Sequence, residues 1–208
     1  MRGRFITFEG GEGLGKSTQV HRAATWLRAC GREVVVTREP GGTPRAERLR
    51  ELLLERSAEP MPPACELLLM FAARATHVAN LIEPALARGA WVLCDRFTDA
   101  SHAYQGGGRG MAEAQIDALA KLAHPSLTPD LTVLLDAPVA LGLARAGARQ
   151  ASGPDRFETE RQEFFERVRN TYLERARGEP GRIRIVDAAG TIDEVEAAVR
   201  SALVPLLT

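Results

Sequence analysis

The chain of 208 residues carries no excess of charge, because its 27 Lys and Arg residues balance its 27 Asp and Glu residues. A protein without bulk charge is not drawn to nucleic acid or to an anionic membrane, so any basic function must come from local clusters. No apolar run approaches the length of a membrane span. No secretory hydrophobic segment with a cleavage site follows the N-terminus. These absences predict a cytoplasmic protein that binds neither nucleic acid nor a membrane.

Cysteine is scarce as well. The three cysteines, Cys30, Cys65 and Cys94, are odd in number and far apart in the sequence. Their spacing gives neither a disulfide framework nor a metal-ligand motif. Cys94 ends an apolar run and is predicted to be a buried thiol. The chain has no internal repeat and no low-complexity segment, and its length suits a single domain over 1–208.

A glycine-dense turn, residues 10–17, follows the first strand-like run of the chain. It reads GGEGLGKS and fits G-x-x-x-x-G-K-[ST] at every fixed position. In this motif glycines let backbone N–H groups converge on phosphate oxygens, Lys16 adds a mobile cation, and Ser17 offers its hydroxyl to Mg²⁺. The alternative is a flexible glycine hairpin with a chance lysine, but a strand before the turn and a helix after it argue against that. The turn predicts binding of a nucleoside triphosphate.

Strand-like and helix-like segments alternate along the chain, which predicts a three-layer α/β fold around a five-stranded parallel sheet. The predicted strands are 4–8, 33–37, 90–94, 131–135 and 182–186. The predicted helices are one ended by Gly31, one capped by Thr43 over 44–54, then 64–88, 111–123, 138–147 and 158–177, and a last one opened by a capping box from Thr191 to Glu194. A glycine-rich loop is predicted at 104–110 and a flexible polar lid at about 145–157.

Charged residues directly follow the predicted second and third strands, where parallel sheets bind their ligands. Arg38 is either a surface arginine or a phosphate clamp held by Glu39 and the turn after it. Asp95 is either a strand-end cap or a carboxylate that positions Mg²⁺ and an attacking oxygen. Arg96 is either a surface charge or a bidentate phosphate ligand. Two arginines beyond a triphosphate loop favour a second ligand that carries a phosphate.

Two further segments suit a planar base. Residues 70–74 (MFAAR) set an apolar or aromatic side chain one helical turn from Arg74, which means either core packing with a salt bridge or a base pocket. Tyr104 and Gln105 belong either to a flexible connection or to an aromatic and amide pair that approaches a base.

Three arginines, Arg145, Arg149 and Arg156, lie in or beside the predicted lid. Arginines at a helix end are often solvated. Phosphoryl transfer, however, requires cations on the migrating group and exclusion of water, and a closing lid supplies both.

Five segments, in order from Phe8 to Glu158, together resemble the bacterial thymidylate kinase family: FEGGEGLGKST, TREPGGT, LLMFAAR, DRFTDASHAYQGGGRG and DRFE. The resemblance implies the P-loop nucleoside monophosphate kinase fold. It also implies transfer of the γ-phosphate of ATP to dTMP, giving dTDP for dTTP synthesis, with Mg²⁺ and a cytoplasmic homodimer.

The resemblance also implies a role for each matching residue. The ATP contacts are Gly10, Gly11, Glu12, Gly13, Leu14, Gly15, Lys16, Ser17 and Thr18, and Ser17 and Asp95 serve Mg²⁺. The dTMP contacts are Glu12 for the 3′-hydroxyl, Arg38 and Arg96 for the phosphate, Arg74 for the thymine carbonyl, and Pro40, Met70, Phe71, Ser101, Tyr104 and Gln105 around the nucleotide. The implied catalytic residues are Lys16, Asp95, Arg38, Arg96, Arg149 and Arg145.

Gly13 stands where another subgroup of the family has an arginine in the phosphate loop. The resemblance is therefore to the subgroup that takes its catalytic arginine from the lid. Arg149 is the first candidate for that arginine and Arg145 the second.

Two positions depart from the family pattern. The family usually has a stacking phenylalanine four residues before the base-reading arginine, whereas this chain has Met70 there and Phe71 one position later. A helix turns about 100° per residue, so only one of the two faces the base unless local geometry intervenes. Ala100 stands where the family often has serine, which removes one hydroxyl but no charge.

Two rival functions remain open at this level. The chain could be a kinase for another nucleoside monophosphate or for a nucleoside, although a nucleoside has no phosphate for Arg38 and Arg96 to bind. It could also be a regulatory switch that binds and hydrolyses a nucleoside triphosphate. A guanine-binding switch would carry an N-K-x-D motif, which the sequence lacks.

Overall fold

The computed structural model of the chain describes residues 2–55, 57–148, 157 and 160–207. Its sheet consists of five parallel strands in the order β2-β3-β1-β4-β5. The strands are β1 Phe5–Glu9, β2 Val34–Arg38, β3 Trp91–Asp95, β4 Leu131–Asp136 and β5 Ile183–Asp187. The predicted five-stranded parallel sheet is confirmed, and each predicted strand end lies within one residue of the observed end.

Helices cover both faces of the sheet. They are α1 Lys16–Ala29, α2 Pro44–Leu54, α3 Pro63–His77, α4 Glu83–Ala87, α5 Thr98–Ser101, α6 Glu113–Ala123, α7 Val139–Gly147, α8 Gln162–Gly178 and α9 Ile192–Leu203. Apolar side chains of α1 and α9 pack on one face, where Val20 and Val199 belong to the same buried cluster as Ile6 of β1. On the other face Val168 of α8 packs with Leu134 of β4. The three predicted layers are therefore present.

The local helix signals act as predicted. The Thr43 hydroxyl accepts a hydrogen bond from the N–H of Ala46, and α2 begins at the following proline. The capping box between Thr191 and Glu194 opens α9. Gly31, in the left-handed region with φ 78°, follows the end of α1. These ends depend on contacts within a few residues, which is why the sequence alone locates them.

The helix predicted over 64–88 is interrupted. A π-helical turn, Val78–Ile82, separates α3 from α4. Pro84 explains the break, because its ring lacks an N–H and clashes with the carbonyl group four residues earlier, at Asn80.

Residues Pro63–Ala87 are long and apolar enough to cross a membrane when judged by length and composition alone. The prediction that no segment approaches this length is wrong on that measure. The same stretch, however, buries Glu66, Arg74 and His77 inside the protein and packs against α2 and α6. This is how the core helix of a globular domain behaves.

The loop predicted at 104–110 is mostly helical. Residues His102–Gly108 form a second π-helical segment, which packs against α8. A Cβ atom on Gly107 would lie 2.0 Å from the Thr171 hydroxyl oxygen, and one on Gly108 would lie 2.5 Å from the Phe164 ring. The glycines are required by close helix packing rather than by flexibility.

Gly108→Ala is therefore expected to destabilise the fold, by about 1–3 kcal/mol, because the added methyl group overpacks this contact. Thermal unfolding of the purified variant measures the effect. Gly178→Ala is the matched control, since its Cβ would meet no atom within 4 Å, and it should leave the melting temperature unchanged or raise it. A loss of equal size in both variants would contradict the packing explanation.

Candidate active site

The phosphate loop connects the central strand β1 to α1. Gly10, Gly13 and Gly15 have φ values of 131°, 70° and 81°, which side chains rarely allow, so the glycines shape the loop. The ammonium group of Lys16 folds back over the loop and donates to the carbonyl groups of Gly10 at 3.1 Å and Gly11 at 2.6 Å. Burial, and then the nearby Arg96, lower the pKa of Lys16.

Two oxygen donors meet at the end of this loop. The Ser17 hydroxyl donates a 2.8 Å hydrogen bond to Oδ2 of Asp95, which ends β3. In the described part of the chain no cluster of three or more His, Cys, Asp or Glu residues could hold a metal ion. A hard cation at Ser17 and Asp95 would thus need phosphate oxygens to complete its coordination, as Mg²⁺ does in kinase sites.

Arg96 lies between the loop and a neighbouring cavity. Among the described residues it alone has a positive φ, 70°, without being glycine. Its N–H donates to the Phe8 carbonyl at 2.9 Å. The guanidinium donates to Glu12 at 2.6 Å, to the Tyr104 hydroxyl at 2.9 Å, to the Gly10 carbonyl at 3.1 Å and to the Tyr172 hydroxyl at 3.3 Å. It also lies over the Tyr104 ring, 4.7 Å from the ring centre.

Glu12 is an anion at the rim of this cavity. Its Oε1 accepts hydrogen bonds from Arg96 and from the Tyr104 hydroxyl, the latter at 2.8 Å. Burial acts to raise its pKa, but the positive charges of Arg96 and then Lys16 outweigh burial and hold the pKa at about 2. The carboxylate therefore stays ionised and can accept a further hydrogen bond.

Glu9 lies beside Arg96, because both side chains form a hydrogen bond with the Tyr172 hydroxyl. It was not among the residues predicted from the sequence. Its carboxyl group accepts hydrogen bonds from the Phe97 N–H and the Tyr172 hydroxyl, both at 2.7 Å. Burial, and then the negative charge of Asp99, raise its pKa to about 8. The available signal was a carboxylate at the end of a fully buried strand.

The cavity beside Arg96 has a volume of about 130 Å³. Eight of the predicted dTMP contacts line it: Glu12, Pro40, Met70, Arg74, Arg96, Ser101, Tyr104 and Gln105. The wall also includes residues that were not predicted as contacts: Glu39, Arg50, Leu54, Phe97, Ala100 and Phe157. These six come from α2, from the loops after β2 and β3, from α5 and from the end of the predicted lid, and their side chains meet only through the fold.

Arg74 is almost completely buried in the cavity wall. Its Nε donates to Glu39 at 2.6 Å, Nη1 donates to Ser101 at 3.1 Å, and Nη2 donates to the Phe97 carbonyl at 3.0 Å. The second oxygen of Glu39 contacts the buried His77 ring at 3.0 Å. Three acceptors therefore fix the direction of the Arg74 guanidinium, and His77 holds one of them, Glu39, in place.

Arg38 is held by the turn that follows it, as predicted, but not by Glu39. Glu39 was expected to hold it, but Glu39 faces Arg74 instead. The Arg38 guanidinium donates to Glu47 at 2.9 Å and to the Pro40 carbonyl at 2.8 Å. Its side chain is 44% exposed. A two-residue alternation along β2 explains the error, because neighbouring side chains point to opposite sides of a strand.

Of the two residues considered for base stacking, Met70 lines the cavity. Phe71 is buried with Leu67 and Ile116, and the Arg74 guanidinium lies 4.5 Å from the centre of its ring. The phase of α3 thus separates the two side chains, as its 100° step per residue requires.

The lid arginines are described only in part. Arg145, near the end of α7, donates to the carbonyl groups of Ala188 at 2.7 Å and Ala189 at 2.9 Å, in the loop after β5. Arg149 and Arg156 lie outside the described residues, as does most of the predicted lid.

Glu9→Gln is expected to change how stability depends on pH. The folded-state pKa of Glu9, about 8, lies above the ordinary value of 4.5 for a glutamate. Its contribution to stability is therefore full below pH 4.5 and is lost as the pH rises through about 8. The unfolding free energy of Glu9→Gln, relative to the unchanged chain, should rise from pH 5 to pH 9 by up to about 1.4 kcal/mol per pH unit. Urea unfolding at both pH values measures this, and a constant difference would contradict the raised pKa.

Comparison with known proteins agrees with this geometry. The thymidylate kinase family model matches residues 8–199. A thymidylate kinase of Pseudomonas syringae pv. syringae is 58% identical over 207 residues, which cover 100% of this chain and 98% of that protein. A thymidylate kinase of Methylococcus capsulatus is 55% identical over 205 residues, covering 99% and 97%. The crystal structure of thymidylate kinase from Ehrlichia chaffeensis superposes with a TM-score of 0.80 at 32% identity, covering 98% of this chain and 100% of that one. The chain belongs to the thymidylate kinase family.

Proposed function

We propose that the two-part site performs the family's reaction through the residues described above. The chain transfers the γ-phosphate of ATP to dTMP and gives dTDP, a step toward dTTP. One observation carries the assignment of residues: Arg96 and Glu12 connect a triphosphate loop to a separate cavity that is lined by arginines and apolar side chains. A regulatory switch needs the loop but has no use for the second cavity.

ATP is bound by the phosphate loop. Its phosphates contact residues 10–18, with the backbone N–H groups of the loop and the start of α1 directed at them. Lys16 leaves the two loop carbonyl groups and follows the transferred phosphate. Ser17 and Asp95 hold Mg²⁺, and their hydroxyl and carboxylate oxygens suit that ion. When bound, Mg²⁺ neutralises charge on the phosphates of ATP.

The phosphate of dTMP is bound by Arg96 and Arg38, and we add Arg50 from the cavity wall. Arg96 presents a planar fork that matches a phosphate, and its contacts with Tyr104 keep that fork in place. Glu12 accepts the 3′-hydroxyl of the deoxyribose, because its carboxylate is ionised and faces the cavity.

The thymine ring lies between Met70 and the aromatic wall. Three of the five Arg74 donors are used by described residues, and a remaining one addresses a thymine carbonyl. Gln105 presents its amide oxygen to the ring. Pro40, Ser101 and Tyr104 complete the contacts. We place Phe71 beneath Arg74, where it supports that guanidinium through its ring face.

Transfer is then a matter of position and charge. Asp95 orients the attacking phosphate oxygen of dTMP toward ATP, and Arg96 holds that phosphate at the loop. Lys16 and a lid arginine stabilise the charge that spreads over the migrating group. Arg149 is the proposed lid arginine. Arg145 is the second candidate, although its guanidinium lies on the loop after β5 in this structure.

The assembly is a cytoplasmic homodimer that binds neither nucleic acid nor a membrane. Each subunit is one domain over 1–208, with a lid at about 145–157. Three exposed leucines support a dimer face, namely Leu52 on α2, Leu68 on α3 and Leu122 on α6. Helix α3 packs against both α2 and α6, so the three side chains belong to neighbouring helices. Sedimentation of the purified chain tests this.

Release of ADP with dTMP, dUMP, dCMP, dGMP and AMP as acceptors tests the reaction. We expect dTMP to be turned over fastest by a wide margin. Equal rates on a purine nucleotide would overturn the assignment of the cavity.

Lys16→Ala is expected to abolish transfer, because no other described loop residue carries a cation to the phosphates.

Arg149→Ala should lower kcat far more than it weakens ATP binding, since a lid arginine acts on the migrating group. Steady-state kinetics with varied ATP separate the two effects. Unchanged turnover in Arg149→Ala would move the lid role to Arg145 or Arg156.

Arg96→Lys is expected to weaken dTMP binding by roughly tenfold or more, because a lysine keeps the charge but loses the bidentate fork. Thymidine, which lacks the phosphate, serves as the internal control, and its affinity should change less than twofold. Isothermal calorimetry measures both ligands. An equal loss for dTMP and thymidine would mean that Arg96 does not hold the phosphate.

A further inference from the structure

Glu66 is a fully buried carboxylate in the first turn of α3, and the mechanism above does not use it. One of its oxygens accepts a 2.8 Å hydrogen bond from Nε2 of Gln105. Arg109 lies against the same carboxylate, with Nε 3.4 Å from Oε1 and Nη2 3.3 Å from Oε2. Arg109 also pairs with Glu160, two residues before α8.

This contact decides which end of the Gln105 amide faces Glu66. A carboxylate paired with a guanidinium accepts hydrogen bonds and donates none. A glutamine amide has a donor end and an acceptor end, so its NH₂ group must point to Glu66. Reversing the amide would place two acceptor oxygens against each other in a buried site, which is strongly unfavourable.

The acceptor end of the Gln105 amide is not satisfied by the residues that the structure describes. Gln105 is 1% exposed and lines the cavity, and its Oε1 is buried without a hydrogen-bond partner among the described residues. A buried acceptor of this kind is rare in folded proteins, where nearly all such atoms are paired. It is satisfied when a ligand brings a donor to it.

We infer that Glu66 is a positioning residue that fixes the Gln105 amide and thereby selects pyrimidines with an N–H at ring position 3. The inference rests on the proposed function, which puts the base of the acceptor nucleotide in this cavity. Thymine and uracil carry a hydrogen on N3 and can donate it to Oε1. Cytosine has a lone pair on N3, so two acceptors would face each other.

The same geometry limits what Glu66 can select. Because uracil also donates from N3, Glu66 gives no discrimination between dTMP and dUMP. That discrimination must come from the contacts of the thymine methyl group. Arg74 acts separately, since its donors favour a carbonyl over the amino group of cytosine. Removing the constraint on Gln105 should therefore admit dCMP more readily without making it the better substrate.

Glu66→Gln tests the inference, because it keeps the shape of residue 66 while giving it both a donor and an acceptor. The Gln105 amide can then turn and offer its NH₂ group to N3 of cytosine. We expect the ratio of kcat/KM for dTMP over dCMP to fall at least tenfold, mainly through the two KM values. The ratio for dTMP over dUMP and the KM for ATP should stay within twofold of the unchanged chain.

Glu113→Gln is the matched control, since it makes the same chemical change at a side chain that is 72% exposed, and it should leave all three quantities unchanged. An unaltered dTMP-to-dCMP ratio in Glu66→Gln would overturn the inference, as would a parallel change in the dUMP ratio. If the unchanged chain did not prefer dTMP over purine nucleotides, the proposed function would fail instead.

A second measurement needs no variant of Glu66 and is independent of its folding. Calorimetry on the unchanged chain compares dTMP with its N3-methyl derivative, which has no hydrogen to donate. We expect binding of the methylated nucleotide to be at least a hundredfold weaker. Equal affinity would show that the Gln105 oxygen does not accept a hydrogen bond from N3, and the proposed role of Glu66 would then be wrong.

Discussion

The guanidinium of Arg96 is the group on which the geometry of the site depends. It donates at once to a carbonyl of the phosphate loop, to Glu12 within that loop and to Tyr104 in the cavity wall. One rigid planar group therefore sets the separation between the phosphate loop and the cavity. Its left-handed backbone is costly for a residue with a side chain. The cost is offset by hydrogen bonds from its own N–H to β1 and from the next N–H to Glu9.

Two glutamates three positions apart, the fully buried Glu9 and the partly exposed Glu12, differ in charge near neutral pH, and their partners explain why. Glu12 faces the cations Arg96 and Lys16, and its pKa is about 2. Within the described part of the chain Glu9 receives hydrogen bonds only from a neutral amide and a neutral phenol. It lies near the negative Asp99 and has a pKa of about 8. A second ionised carboxylate at Glu9 would reduce the positive potential that binds phosphates. Of these two carboxyl groups, Glu12 is the one that is ionised at neutral pH.

Features that depend on local chemistry were predictable from the sequence, and features that depend on distant packing were not. The apolar strands and the caps at Thr43 and Thr191 involve only neighbouring residues, so their positions follow from the pattern. The segment His102–Gly108 looked like a loop because glycines usually break helices. Gly107 and Gly108 are explained by contacts with Thr171 and Phe164 of α8, more than fifty positions away. No local pattern contains that information.

The same distinction applies within the site. The sequence predicted the charged side chains at the strand ends, yet it paired Glu39 with Arg38, because adjacent residues are the simplest partners to assume. The fold instead brings Arg74 from α3 to Glu39. Likewise Met70 and Phe71 are interchangeable in a pattern, and only the packed phase of α3 directs the first to the cavity.

Gly13 illustrates a constraint that a motif match does not contain. A Cβ atom at this position would lie 1.9 Å from the carbonyl oxygen of Gly142 in α7, and a Cβ on Gly142 would lie 2.5 Å from the Glu12 carbonyl oxygen. The backbone of the phosphate loop thus rests directly on α7, glycine against glycine. An arginine at position 13 cannot be accommodated unless α7 moves away. An arginine that assists Lys16 at the migrating phosphate, as proposed above, would then come from outside the loop. The contact between Gly13 and α7 therefore gives the proposed role of Arg149 a steric reason as well as a family resemblance.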